Sequence, residues 1–392
     1  MTPRPERDRS DPPRSARARA PHFATCAPGL EPVLHEEARA LRLARVERQV
    51  GGVYFEGDAV DAMRANLELR TAVRVLRRVA RFGARDADEL YAGAEQVDWS
   101  AWLAPGGSLR VSAQCRDSEL DHSLFVEQRV KDAICDSVRE LRGARPSVNK
   151  DDPDLRVHAH LFRDRCTLSV DTSGESLHKR GWRRFQGRAP LAETLAAGIL
   201  ALSGWDRRSP LVDPFCGSGT LLVEAALLAA GAAPGLARER FAFEAFPSHD
   251  ATRWQALRRA ARERVRPTPR LRLVGRDLDP EALAGARENL ASAGCEGAVE
   301  LEPGAAQEFQ PKRGWNGWII TNPPYGERVG EASELAAVHR AFGERLRSEA
   351  EGYGLALFSG NAELVAELGV EFERRVALAN GALACELCCA RL

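Results

Sequence analysis

Lysine is nearly missing from this chain: among 56 basic residues only Lys131, Lys150, Lys179 and Lys312 are lysines, and the rest are arginines. The guanidinium fork matches phosphates and base edges better than an ammonium does, although a GC-rich genome produces the same bias. Net charge is missing too, because 56 acidic residues cancel the 56 basic ones. No global field draws the chain to nucleic acid, so any such binding has to come from a local patch. No run approaches the ~18 apolar residues of a membrane span, so no membrane partner is expected. The nine cysteines are scattered and odd in number, which argues against a disulfide framework and for a reducing, cytoplasmic setting. Cys385, Cys388 and Cys389 cluster near the end, yet no second cysteine pair or nearby histidine stands at ligand spacing, and His158 and His160 lack a third ligand. No metal is expected. Residues 1–20 hold Arg4, Arg7, Arg9, Arg14, Arg17 and Arg19 among four prolines with no apolar core. They read as a disordered basic tail and not as a signal peptide.

Against these absences stand three motifs. Trp318-Ile319-Ile320 is an apolar run that ends in Thr321-Asn322-Pro323-Pro324-Tyr325-Gly326. Each proline fixes its own φ and biases its predecessor towards extended geometry. The Asn322 carboxamide and the Pro323 carbonyl are therefore held at a strand's carboxyl end, where open α/β sheets bind ligands. Two oxygens side by side can accept both protons of an exocyclic amine, and the Tyr325 ring can stack on the base that carries it. That is a device for methylating an amino group on a flat heterocycle.

About a hundred residues earlier, Leu211-Val212-Asp213-Pro214-Phe215-Cys216-Gly217-Ser218-Gly219-Thr220 reads as strand, glycine turn and helix start. Gly217 and Gly219 let the backbone approach a ligand closely, and the helix N-terminus offers it unpaired N–H groups. No lysine follows the glycines, which disfavours a phosphate-binding loop. A second strand from Leu271 runs into Asp277-Leu278-Asp279-Pro280-Glu281. Asp277 is placed to accept the hydroxyls of a ribose, with helix capping as the competing account. Asp279 is the better cap, because Pro280 fits a first helical turn and Glu281 favours the dipole.

Before these motifs the pattern predicts strand (Phe23 to Cys26), helix (Gly29 to Leu41), two strands bent at Gly51-Gly52, helix (Asp58 to Leu69) and strand (Val73 to Val79), a ferredoxin-like order. An alternating strand follows at Leu109 to Gln114. A helix from Ser123 to Leu141 has Val126, Val130, Ile134 and Val138 at core spacing, and a strand pair spans Leu155 to Asp171. After Ser209, strands are expected at Leu211, Leu271, Ala298, Trp318, Leu355, Val370 and Leu383. Helices are expected between the first five, and Asn380-Gly381 signals a hairpin between the last two. The joining segment contains Lys179, Arg180, Trp182, Arg183 and Arg184. These are candidates to hold a nucleic-acid backbone with one stacking ring; the alternative is a charged linker with Trp182 packed into an interface.

In order, Asp-Pro-Phe-Cys-Gly-Ser-Gly-Thr, Asp-Leu-Asp-Pro and Asn-Pro-Pro-Tyr resemble the class I S-adenosylmethionine-dependent methyltransferases of the amino-group type. Ala232 to Leu236, Phe241 to Glu244, Trp254, the run Asn322 to Arg328 and Asn380 to Leu383 narrow the resemblance to the RlmL/TrmN group of guanine-N2 RNA methyltransferases. The resemblance implies an α/β Rossmann-like fold, a seven-stranded mixed sheet with a terminal antiparallel hairpin, preceded by α+β ferredoxin-like and THUMP domains. The expected division is a tail (1–20), a ferredoxin-like domain (21–80), a THUMP RNA-binding domain (81–173), a linker and cofactor-closing segment around Gln186 to Pro190 and Glu193 (174–208), and a methyltransferase domain (209–392). It implies S-adenosylmethionine as cofactor, held by Asp213, Phe215, Gly217, Gly219, Thr220, Asp277, Leu278, Gln307 and Asn322, with Asn322, Pro323 and Tyr325 carrying the chemistry.

The implied reaction is methylation of guanosine N2 in RNA, with large-subunit (23S) ribosomal RNA ahead of transfer RNA. One departure from the family pattern is Ala305, where an acidic residue usually bonds the cofactor's adenine; Gln307, Glu302 or backbone groups are left for that role. The Asn-Pro-Pro-Tyr stretch alone also suits adenine N6 or a glutamine amide. From another class, a non-catalytic RNA-binding or ribosome-assembly protein with an inactive domain accounts for Ala305 but not for Asp213, Gly217, Gly219, Asp277 and Asn322 together.

Overall fold

A computed structural model describes residues 19–187, 190–268, 270–312, 314–325 and 331–392. The basic tail expected at residues 1–20 lies outside the described residues up to position 18, as do Gly326, Glu327 and Arg328 of the Asn-Pro-Pro-Tyr motif and residues 188 and 189 of the closing segment.

The first half begins β1 (Ala20–Thr25), α1 (Glu31–Ala40), β2 (Ala44–Gln49), β3 (Gly52–Gly57), α2 (Ala59–Glu68) and β4 (Arg74–Gly83), the order the pattern predicts. Local chemistry sets these ends. Asp58 caps α2 by accepting from the Asp61 N–H at 2.9 Å, while the Asp61 carboxylate takes the Asp58 N–H. Next come α3 (Ala87–Glu95), which the sequence reading did not include, β5 (Ser108–Arg116), α4 (Ser123–Arg142), β6 (Ser147–Val148), β7 (Leu155–Phe162) and β8 (Arg165–Asp171). Val126, Val130, Ile134 and Val138 of α4 are all buried, as their spacing requires.

All eight strands share one sheet, in the order β2-β3-β1-β4-β8-β7-β5-β6. β4 is the hinge of that arrangement, because it pairs antiparallel with β1 on one side and with β8 on the other. Alternate residues such as Ala24, Val53, Val75, Val111, Val157 and Val170 face one core. Among the described residues no second core forms on the opposite face. Phe23, Tyr54, Arg78, Thr167, His158 and His160 stand there, with Arg81, Arg110, Arg116, Arg156 and Arg165 beside them by strand alternation.

The second half runs α5 (Glu193–Ser203), β9 (Leu211–Asp213), α6 (Thr220–Ala229), α7 (Ala251–Glu263), β10 (Leu273–Asp277), α8 (Pro280–Ser292), β11 (Val299–Pro303), β12 (Trp318–Thr321), α9 (Glu331–Glu349), β13 (Gly354–Ser359), α10 (Ala362–Glu367), β14 (Arg374–Asn380) and β15 (Leu383–Arg391). Its seven strands lie in the order β11-β10-β9-β12-β13-β15-β14, parallel up to β13 and antiparallel in the last hairpin. Neighbouring residues feed opposite cores: Leu211, Leu273 and Ile320 belong to one, Val212, Val274 and Ile319 to the other.

Two expectations are corrected. Between β11 and β12 only a 3-10 turn forms, Ala306–Glu308; Gly304 at φ +142 and Pro311 bracket too short a stretch for an α-helix. The strand expected at Val370 starts at Arg374, and Val370 and Phe372 pack on the second core instead.

The segment after α6 docks the halves together. Phe241 and Phe243 stack at 5.3 Å with Trp254 edge-on to both. Backbone N–H groups of Gly235 and Phe243 donate to the carbonyls of Leu67 and Thr172 at 3.0 and 3.1 Å.

Candidate active site

Chain order reverses between β9 and β12: β10 and β11 lie to one side of β9, β12 and β13 to the other. The carboxyl ends of β9, β10 and β12 therefore open on a switch-point crevice. They bring Asp213, Asp277 and Asn322 together, three residues scattered over more than a hundred positions.

Asp213 braces the crevice. It is 2% exposed, and its Oδ1 accepts from the Thr321 hydroxyl at 2.6 Å and the Phe215 N–H at 3.2 Å. That joins the end of β9 to the residue preceding Asn322. Burial, with a smaller contribution from Asp277, pushes its carboxyl up to about 7.

The glycine turn follows. Gly219 N–H donates to the Cys216 carbonyl at 2.8 Å, and Gly217 N–H to Asp277 Oδ2 at the same distance. Gly217 has φ +50 and Gly219 φ +77. A side chain added at Gly217 meets no atom within 4 Å, so the turn presents an open cradle; one at Gly219 meets Ala286 at 3.2 Å, where the turn presses on α8.

Asp277 holds the turn and the cap residue together, while the cap of α8 itself is Asp279. Oδ2 holds Gly217, and Oδ1 accepts the Asp279 N–H at 2.9 Å. Asp279 caps α8 through the Glu281 N–H. Each Asp277 oxygen retains a lone pair, so a diol remains within its capacity. Leu278 next to it is 75% exposed, an apolar surface suited to the face of a flat ring. Gln307 lies two residues beyond Ala305, and no described residue partners its carboxamide; its backbone carbonyl accepts from Arg345. The Phe215 ring instead packs on α9, stacked on His339 and edge-on to Phe342.

At the end of β12 the Tyr325 hydroxyl donates to Asn322 Oδ1, burial raises that phenol well above its ordinary range, and the Tyr325 ring lies edge-on to Phe358. Asn361, at the N-terminus of α10, donates to the Tyr325 carbonyl at 3.3 Å.

The joining segment is corrected. Arg180 and Trp182 are 2% and 1% exposed. Arg180 pairs with Glu224 of α6 at 3.3 Å and donates to the Leu177 and Arg70 carbonyls, because the segment threads between α6 and the N-terminal half. Arg183 pairs with buried Glu193 at 2.7 Å and donates to the Thr220 hydroxyl at 3.0 Å. Lys179, paired with Glu175, and Arg184, bonded to Ser292, are the exposed members of the five candidates. The segment is a strut that supports the glycine turn, so Arg180 and Trp182 are withdrawn as nucleic-acid contacts.

Sequence reasoning missed Asn289. Fully buried on α8, it accepts from the Arg184 and Phe185 N–H groups and donates to the Phe185 and Ser218 carbonyls. It ties the joining segment to the glycine turn. An asparagine inside the apolar stripe Leu283, Ala286, Leu290 was the available signal. Also missed were the outward arginines of the first sheet. Arg78 lies over the Phe23 and Tyr54 rings at 5.0 and 5.4 Å and Arg116 over Phe162 at 6.0 Å. Arg81 and Arg165 beside them are exposed.

Among the described residues no group of His, Cys, Asp and Glu could hold a metal ion, and no helix is long and apolar enough to cross a membrane.

Comparison with known proteins follows the same outline. The family "RMKL-like, methyltransferase domain" matches residues 180–388, the THUMP domain residues 84–171 and the RlmL ferredoxin-like domain residues 22–76. Ribosomal RNA large subunit methyltransferase K/L of Syntrophotalea carbinolica is 42% identical over 376 residues, 93% of this chain and 52% of that protein. The chain thus spans about half the length of the curated relatives it matches. A possible methylase from Clostridium difficile 630 superposes with a TM-score of 0.88 at 30% identity, over 95% of this chain and 98% of that one. A putative methyltransferase complexed with SAH does so at 0.86 and 30%, with the same coverage.

Proposed function

Because the chain belongs to the RMKL-like methyltransferase family, we propose that it transfers a methyl group from S-adenosylmethionine to N2 of a guanosine in RNA, with large-subunit ribosomal RNA as substrate. The observation that carries this reading is the convergence of Asn322 with the glycine turn at one switch point, braced by the bond between Thr321 and Asp213.

The residues fit the cofactor. Gly217 leaves an open cradle, Asp277 keeps acceptor capacity for a ribose diol, Leu278 offers an apolar surface, and Gln307, two residues beyond Ala305, has a carboxamide with no partner among the described residues. When bound, S-adenosylmethionine supplies an electrophilic methyl group on sulfur.

Guanine N2 is a poor nucleophile, since its lone pair is delocalised into the ring. Asn322 Oδ1 and the Pro323 carbonyl accept its two N–H bonds, turn the lone pair towards the methyl carbon, and bind more tightly as positive charge develops on nitrogen. A carboxamide oxygen accepts two hydrogen bonds, so the Tyr325 hydroxyl can hold Asn322 in place while the amine takes the second lone pair. Held this way, the amine would take the methyl group that bound S-adenosylmethionine supplies and would give its extra proton to water. The base must leave its stack to reach the crevice.

RNA affinity in a chain of zero net charge needs a local patch, and the outward face of the first sheet supplies one. Arg78, Arg81, Arg110 and Arg165 form no ion pair there among the described residues. Such a substrate places the protein in the cytoplasm.

The test is transfer of labelled methyl groups to ribosomal and transfer RNA pools from cells lacking the gene, followed by mass-spectrometric mapping. N2-methylguanosine in large-subunit RNA is the expected product. Label in transfer RNA alone moves the substrate, and no label in either pool removes the activity.

A further inference from the structure

Away from the sheet edge, a cleft of about 500 Å³ opens where the two halves of the chain meet. His22 of β1, Met63 of α2, Arg77 of β4, Trp102, Phe246 and His249 line it, and none of its residues belongs to the glycine turn or to the Asn322 motif. Its size suits a ligand site, typically ~300–1,000 Å³.

Its walls hold three unmet chemical demands. The first is His22, which is fully buried and stacked on Phe55 at 5.0 Å with the rings 8° apart. Its Nδ1 lies 2.9 Å from the Ala20 carbonyl, so Nδ1 carries the hydrogen and Nε2 is left as an acceptor. Burial and the nearby Arg77 push this imidazole down to about 4, which keeps Nε2 unprotonated at neutral pH. Among the described residues no group donates to it, and a buried polar atom without a partner is costly.

The second demand is Arg77. Its guanidinium lies over the Trp102 ring at 5.5 Å, and no described carboxylate pairs with it. The third is aromatic surface: partly buried Trp102 stands edge-on to Phe246 at 5.5 Å. On the same wall, His249 Nδ1 is a second buried polar atom without a partner.

A water molecule answers only the first demand and a simple anion only the second. A nucleotide answers all three: an exocyclic amine donates to His22 Nε2, the phosphate neutralises Arg77, and the flat base lies against the Trp102 and Phe246 rings. We propose that the cleft is a nucleotide subsite, distinct from the crevice at the sheet edge, that takes a single base bearing an exocyclic amine with its phosphate on Arg77. The nucleotide is either an unpaired residue of the substrate RNA, which rests on the RNA reading above, or a free nucleotide.

Calorimetry on the full chain tests this with adenosine 5′-monophosphate, in the presence of saturating S-adenosylhomocysteine to block the glycine-turn crevice. Purine riboside 5′-monophosphate, which lacks the amine, serves as the comparison. Adenosine monophosphate should bind saturably, and Trp102→Ala and Arg77→Gln should each weaken it about tenfold or more. The analogue should bind several-fold more weakly to the wild type, and His22→Leu should abolish that difference. His22→Leu removes an unpartnered polar atom, so it keeps the test open if Trp102→Ala fails to fold. If adenosine monophosphate raises the apparent Kd for ribosomal RNA in the wild type but not in Trp102→Ala, the occupant is an RNA residue. If it binds without disturbing RNA, the occupant is a free nucleotide. No saturable binding up to ~10 mM, or binding that all three substitutions leave unchanged, overturns the subsite. Methyl transfer is not a readout, so an inactive wild type that still binds the nucleotide through Trp102 sinks the methyltransferase reading and leaves the cleft standing.

Discussion

The C-terminal sheet separates two hydrophobic cores, whereas among the described residues the N-terminal sheet has a core on one side only. Helices and loops that cover both faces of a sheet leave it only the ends of its strands for chemistry. Asp213, Asp277 and Asn322 all stand at such ends. A sheet with one uncovered face can instead use the face itself, and there the first sheet displays arginines beside aromatic rings. Between the two sheets, arginine has a second use. Arg180 is buried in the seam with Glu224 as its counter-ion, so the same side chain is a structural element in one place and an open binding group in another.

The sharpest way to break this contrast is to remove the seam cation. Arg180→Ala leaves Glu224 buried with only Arg70 nearby, at 3.9 Å. Stability should fall by about 3–5 kcal/mol, read as a drop in the denaturation midpoint. A change below about 1 kcal/mol makes the buried pair of Arg180 and Glu224 dispensable for stability.

Next in size is the strand-end chemistry. Asn322→Ala should lower single-turnover methyl transfer by ~100-fold or more with cofactor affinity retained. A variant within a few-fold of the wild type takes Asn322 out of the mechanism.

The uncovered face is tested by Arg78→Gln, Arg81→Gln and Arg165→Gln combined. RNA affinity should fall about tenfold or more at low salt, and the slope of log Kd against log salt should decrease by roughly two units. The denaturation midpoint should barely move, since surface substitutions usually change stability by within ~0.5 kcal/mol each. Equal RNA binding by this variant assigns the affinity to some other surface.

A pH dependence centres on Asp213, whose carboxyl is raised by burial from its ordinary value to about 7. Between those values the folded state binds a proton that the unfolded state has released. Stability should therefore decline as pH rises from about 4 to 7 and change no further through this group above that. Asp213→Asn keeps an acceptor for the Thr321 hydroxyl and should flatten that decline in urea titrations; an unchanged slope assigns the pH dependence elsewhere.

Much of the architecture was legible before the structure, because its signals are local. Gly51-Gly52 and Asn380-Gly381 marked their hairpins, Asp58 and Asp279 their helix starts, and the α4 valines their core face. Errors fell where local signals compete with tertiary placement: the 3-10 turn at Ala306–Glu308, where a helix was expected, and the segment from Val370 to Glu373, which packs on a core without a strand partner. The site was legible in part. Asp213, the two glycines, Asp277 and Asn322 converge as their motifs imply. Asn289 went unnoticed, since a single buried asparagine has no period of its own. The Arg-rich joining segment was misassigned for a related reason, as a cluster of charges looks the same in sequence whether it meets solvent or a buried carboxylate.

The sequence by itself determined the element order, the turn chemistry and the three strand-end motifs, because backbone preferences and hydrophobic periods act within a few residues of each other. Only the tertiary structure decided that β4 joins eight strands into one sheet, that Arg180 meets Glu224 while Arg78 meets Phe23 and Tyr54, and that His22, Arg77 and Trp102 share a cleft with Phe246. The partner of a charged or aromatic side chain is set by whichever distant segment packs beside it, and no local preference encodes that.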